Sequence, residues 1–140
     1  MTVAGADLGT VYDREALAWA AGLFDGEGYI ACIARREPRS RNAPLLNMTV
    51  NQWHDAFVLV RFQAALGGVG HIGSRPRLGG VTEYTWRLSS FEKVQASIAL
   101  LWRWLSPVKR QQAMRALTGF QGHRQLIGVR AYRRQQRAGQ

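Results

Sequence analysis

Hydrophobic and polar positions fall into three different rhythms along this chain. From Ala16 to Phe24 no residue carries a charge. The segment reads as a helix lacking the polar face that a surface helix shows every 3.6 residues. It is far shorter than the ~20 residues that cross a membrane. Both faces therefore need cover, one from the domain core and one from a second copy of the same helix. Ala18, Ala21 and Gly22 are small enough to let two backbones approach. Asp13 is placed to cap a helix running from about Arg14 to Gly26, which then stops among two acids and two glycines, Asp25-Gly26-Glu27-Gly28.

The second rhythm is strict alternation. Tyr29 to Arg36 reads as a strand, and Glu37 to Pro44 as an Arg-rich turn. Leu46, Met48 and Val50 then alternate with Asn47, Thr49 and Asn51. Val69 to Arg75 and Thr82 to Ser89 repeat the pattern, with Tyr84, Trp86 and Leu88 opposed by Glu83, Thr85 and Arg87. The third rhythm is an ordinary helical spacing over Asp55 to Leu66, with Phe57, Val60, Phe62 and Ala64 as its inward residues and Gly67-Gly68 as its stop. Ser89 and Glu92 suggest a capping box for a helix reaching about Leu105. Ser106-Pro107 starts another.

The order αββαββα predicts an α+β fold. It has one four-stranded antiparallel sheet, helices on one face, and a C-terminal helical basic extension. Residues 1–12 read as a flexible leader, 13–118 as a single domain and 119–140 as the extension. Trp19, Trp102 and Trp104 are packing candidates.

Charge changes the picture. Residues 1–92 hold nine Arg and nine acidic residues, whereas residues 93–140 hold ten basic residues and no carboxylate. Such asymmetry points to a polyanionic partner, most simply nucleic acid, with the basic segment gripping phosphates. An acidic protein is the weaker alternative. Cys32 is the single cysteine, which excludes an internal disulfide and a cysteine zinc site. The three histidines, His54, His71 and His123, lack metal-ligand spacing. No run is long enough for a membrane helix, and the first fifteen residues lack a signal-peptide layout. An intracellular, DNA-associated protein is expected.

Two sets of residues carry candidate chemistry. The outward face of the sheet would present Arg35, Asn47, Thr49, Asn51, His71, Arg75, Arg77, Glu83, Thr85 and Arg87. These side chains suit base edges and phosphates in a major groove, which admits a β-ribbon. The other set is the acidic helix end. Carboxylates are unfavourable at a helix C-terminus, and a divalent cation would resolve the conflict at Glu27. Oxygen ligands favour Mg²⁺, with Mn²⁺ able to substitute.

The nonapeptide Ala20-Ala21-Gly22-Leu23-Phe24-Asp25-Gly26-Glu27-Gly28 resembles the LAGLIDADG motif of homing endonucleases. Ala20 stands where the family usually has Leu. The element order is similar to that of single-motif members from about Arg14 to Ala116. The resemblance implies a homodimer paired through the motif helices at Ala18, Ala21, Gly22 and Asp25, acting on a long pseudo-palindromic double-stranded DNA site. It implies metal binding by Glu27 and the Gly26 carbonyl. It assigns Gln52 to ordering water and Lys109, within Val108-Lys109-Arg110-Gln111-Gln112-Ala113, to cationic support. Relatives often carry a basic residue early in the second helix, where this chain has Asp55-Ala56. A catalytically silent DNA-binding regulator, or a maturase acting on intron RNA, is the alternative on the same fold.

Overall fold

The computed structural model describes residues 9–33 and 45–139, with residues 123–131 described by backbone alone. The chain runs α1 (Arg14–Glu27), β1 (Gly28–Ile33), β2 (Leu45–Trp53), α2 (Phe57–Ala65), β3 (His71–Pro76), β4 (Thr82–Leu88), α3 (Phe91–Leu101), a 3₁₀ turn (Trp102–Trp104) and α4 (Pro107–Ala138). The fold is α+β, as the alternation predicts. The strands form one antiparallel sheet in the order β1-β2-β4-β3, with β2 and β4 at its centre.

The core fills the space between one face of the sheet and the helices. Leu46, Met48 and Val50 from β2 and Trp86 and Leu88 from β4 meet Leu17, Ala20, Ala21 and Phe24 of α1. Phe62 links the layers, stacking on Phe24 at 6.4 Å between ring centroids and meeting Trp86 edge-on at 4.8 Å. Val94, Ile98 and Leu101 of α3 and Ala113 and Ala116 of α4 close the remaining sides. The Asp13 carboxylate accepts from the Glu15 and Ala16 amides at 2.8 and 3.2 Å, a cap that stabilises a helix by about 1 kcal/mol.

Three details differ from the sequence reading. In α2 the buried residues are Leu59, Phe62 and Ala65, while Phe57, Val60 and Ala64 are exposed. With apolar residues on nearly every side, its phase could not be fixed by periodicity. The cap of α3 is Ser90, whose side chain makes no capping bond, so the expected Ser89 box does not form. That helix ends at Leu101 rather than near Leu105, giving way to the 3₁₀ turn. The next helix, α4, starts at the expected Ser106-Pro107 signal and continues to Ala138.

Candidate nucleic-acid interface

Period-2 alternation sends every second residue of the central strands to the side without helices. Register then sets neighbours across it. Thr49 lies opposite Arg87, Asn51 opposite Thr85, His71 opposite Arg87 and Arg75 opposite Glu83. These residues line a groove of about 590 Å³ together with Asn47 and Arg77. Nine of the ten side chains expected on this face therefore share one surface, and Arg35 lies outside the described residues. Ser74, inside β3, and Ser89, just past the end of β4, also line it, and the sequence reading missed both.

Within the groove some polar groups are already committed. The Arg77 guanidinium is bonded to the Glu83 carboxylate, which is almost fully buried. Glu83 thus holds Arg77 in place as well as facing the groove. Thr85 donates to the Asn51 Oδ1 at 2.9 Å. Arg75 and Arg87 are exposed and leave the face cationic. The Asn47 Oδ1 is buried without a partner among the described residues. An orphaned acceptor of this kind costs about 1–3 kcal/mol, and a donor from outside would recover it.

The second candidate centre is the α1–β1 junction. Gly28 enters β1 directly under Phe24, whose ring occupies the space a Cβ would need. No larger residue fits there, so the last glycine of the nonapeptide has a packing reason. Asp25 accepts from the Ser106 backbone amide at 2.9 Å, fastening the end of α1 to the start of α4. Ser106 caps α4 by accepting from the Lys109 amide at 3.3 Å, with Pro107 following it. That fixes Lys109, whose Nζ donates to the Gly28 carbonyl at 2.6 Å and lies 5.5 Å from the Phe24 ring centroid. Gly28 pairs with Val50, so Gln52, two residues further along β2, lies at the same end of the sheet. It shares the strand face of Val50 rather than that of Asn51.

Glu27 itself is exposed and has no hydrogen bond or ion pair among the described residues. Gly26 belongs to the last turn, where helix carbonyls lack intrahelical partners. No group of three His, Cys, Asp or Glu that could hold a metal ion occurs among the described residues. One protomer thus offers one carboxylate with carbonyl oxygens beside it, a donor set that fits Mg²⁺ completed by waters and phosphate oxygens.

Among the four α1 residues expected at a dimer interface, Ala21 must be corrected. It is 0% exposed and packs into the protomer's own core, so it has no surface to offer. Ala18 is half-buried, Gly22 is exposed and a Cβ on Gly22 would meet nothing within 4 Å. Asp25 is half-buried and engaged with Ser106. Trp19 packs against the core with the Arg61 guanidinium 3.9 Å from its ring centroid. Asp55 accepts from the Phe57 amide at 2.9 Å, which gives it a role in starting α2.

No family model and no curated protein matches the sequence. Solved structures do match. The homing endonuclease I-CvuI in complex with its target is 25% identical with a TM-score of 0.58, over 75% of this chain and 65% of that one. I-CvuI with an I-CreI target in the presence of Mg, its DNA not cleaved, is 26% identical with a TM-score of 0.56, over 75% of this chain and 65% of that one. The chain therefore spans just under two thirds of the length of I-CvuI. The group I intron-encoded homing endonuclease I-CeuI, complexed with DNA, shares the fold at a TM-score of 0.62 and 14% identity, over 89% of this chain and 61% of that one. The LAGLIDADG meganuclease I-CpaMI, bound to uncleaved DNA, shares it at 0.53 and 15%, over 67% of this chain and 30% of that one. With the nonapeptide at the end of α1 and this sheet topology behind it, the chain shares the fold of the LAGLIDADG homing endonucleases.

Proposed function

We propose that this chain is a site-specific double-strand DNA endonuclease that works inside the cell as a homodimer and requires a divalent metal ion. The observation that carries the reading is the position of Glu27. An unpaired carboxylate closes α1 at the end of the sheet where Lys109 and Gln52 are also placed. The complexes of I-CvuI and I-CeuI with DNA support a duplex on the cationic groove.

The residues at hand fit the ion, with Glu27 and the Gly26 carbonyl as its holders. Mg²⁺ or Mn²⁺ bound there supplies an activated water and neutralises charge on phosphate oxygens. The rest falls to the chain. Gln52 offers an amide to orient a water on the phosphate. Lys109, steadied by the Gly28 carbonyl, holds positive charge where the transition state gains negative charge. Arg75, Arg87, Thr49 and Asn47 read base edges in the groove, and His71 contacts phosphate.

A second protomer completes the unit. The small residues Ala18, half-buried, and Gly22, exposed, let another α1 lie close, and two-fold symmetry then brings a second Glu27 to the same centre. Two carboxylates placed so close repel each other unless cations lie between them. A target with two related half-sites follows.

The experiment is Mg²⁺-dependent cleavage of plasmid libraries by wild-type protein and Glu27→Gln. Loss of cleavage with duplex binding retained supports the assignment, and equal cutting by both removes Glu27 from the mechanism. One observation favours a second reading. Asp55-Ala56 places no cation at the start of α2, which suits a DNA-binding regulator or an intron RNA maturase. Tight binding to one DNA site without nicking, in Mg²⁺ or Mn²⁺, would favour the regulator. Preference for folded intron RNA over duplex DNA would favour the maturase.

A further inference from the structure

The 32 residues of α4 divide into two parts with different surroundings. The first part is packed. Gln112 accepts from the Ile30 amide at 3.2 Å, Ala113 and Ala116 are buried, and Phe120 stacks on Phe91 with centroids 5.4 Å apart. At the far end, residues 132–139 are all exposed. At 1.5 Å per residue Arg137 lies roughly 26 Å beyond Phe120 along the axis. The turns formed by residues 132–139 bury no side chain that could offset their ordering cost.

What the distal turns do carry is charge in register. At 100° per residue, Arg133, Arg137 and Arg134 fall at about 0°, 40° and 100°, one stripe of three guanidiniums. Arg115 lies five full turns earlier on the line of Arg133. It is exposed and lines a hollow against β1 with Tyr29 and Ala31. Those two pair with Thr49 and Asn47 and so share their strand face, the face of the groove. The stripe therefore begins beside the strand face that forms the groove. No acidic residue occurs between 93 and 140 to neutralise it.

We infer that this stripe is a phosphate rail: Arg115, Arg133, Arg134 and Arg137 follow the backbone of duplex DNA that continues out of the groove. The inference rests on the DNA reading of the groove and extends it with a contact that carries no sequence information. A second α4 is a poor occupant, since two such stripes repel. Guanidiniums in a row match a duplex, which bears one charge per ~1.7 Å of axis.

The test is the salt dependence of binding to a fluorescein-labelled duplex of roughly 40 base pairs of mixed sequence, long enough to outrun the groove. Full-length wild-type protein is compared with Arg133→Gln/Arg134→Gln/Arg137→Gln, with circular dichroism confirming that the helix is retained. Each protomer loses three charges, so the slope of log affinity against log salt should shrink by about 2–3 per protomer bound, roughly 5 for the dimer, and affinity at physiological salt should fall by about 10²-fold or more. The matching triple Lys variant should restore most of both. An unchanged slope in the Gln variant, with duplex binding intact, overturns the rail and leaves the groove reading standing. No duplex binding by the wild type overturns both. Binding of polyglutamate that is lost in the Gln variant, with duplex binding unaffected, assigns the stripe to an acidic protein and also overturns the rail.

Discussion

The domain contains the unit helix–strand–strand twice, and the two copies divide the work unequally. Both feed the groove: β2 supplies Asn47, Thr49 and Asn51, and β3 and β4 supply Arg75, Thr85 and Arg87. Only the first ends its helix in acids. α1 closes on Asp25 and Glu27, whereas α2 closes on Ala65 and Leu66 ahead of Gly67-Gly68. The second unit thus adds to the groove without adding a second acidic helix end.

Glycine substitutions should separate the two units most sharply. Gly28→Ala places a methyl inside the Phe24 ring and should cost about 1–3 kcal/mol as overpacking. Gly73→Ala in the second unit meets open space and should shift stability by no more than about 0.5 kcal/mol. Thermal or urea unfolding of both variants checks the contrast, and equal losses would contradict it.

The shared groove offers the next effect. Arg87 sits between Thr49 of the first unit and His71 of the second. Arg87→Gln should weaken specific binding by about 1–3 kcal/mol and relax discrimination at one base position. Selection from randomised duplex pools would show that position. A uniform loss across all sequences would instead make Arg87 a phosphate contact.

The acids at the two helices should differ more modestly. Asp25→Ala strands the Ser106 amide that joins α1 to α4, at a cost of about 1–2 kcal/mol. Asp55→Ala removes an exposed bond to Phe57 and should cost about 0.5–1 kcal/mol. Denaturation midpoints that reverse this order would mean that α1 and α4 are held together by something else.

Sequence rhythm revealed these regions to different depths. Alternation in β2 and β4 is clean because one face is core and the other polar, so the groove face could be read residue by residue. The junction was partly readable. Two acids at a helix C-terminus stand out electrostatically, and the resemblance supplied Lys109 and Gln52. Nothing local says that Asp25 meets Ser106, or that Lys109 meets the Gly28 carbonyl. Each contact spans 81 positions and exists only after α4 docks. The phase of α2 was lost to its uniform apolarity. Ala21 was misplaced because a helix apolar on every side does not announce which of its small residues turn inward. The Cys32 thiol, its pKa raised by burial near Gly119, gave no signal beyond its singleness.

The central claim is that each active unit needs two acid-ended α1 helices. It is tested most directly by unfolding wild-type and Glu27→Gln protein together in equal amounts, refolding the mixture, and measuring Mg²⁺-dependent double-strand breaks at a cleavable site. Random pairing leaves about one quarter of dimers with both glutamates. The account predicts double-strand cleavage near that fraction of the wild-type rate at equal total protein, with mixed dimers confined to nicks. A rate near one half, the value for chains that cut independently, would contradict it.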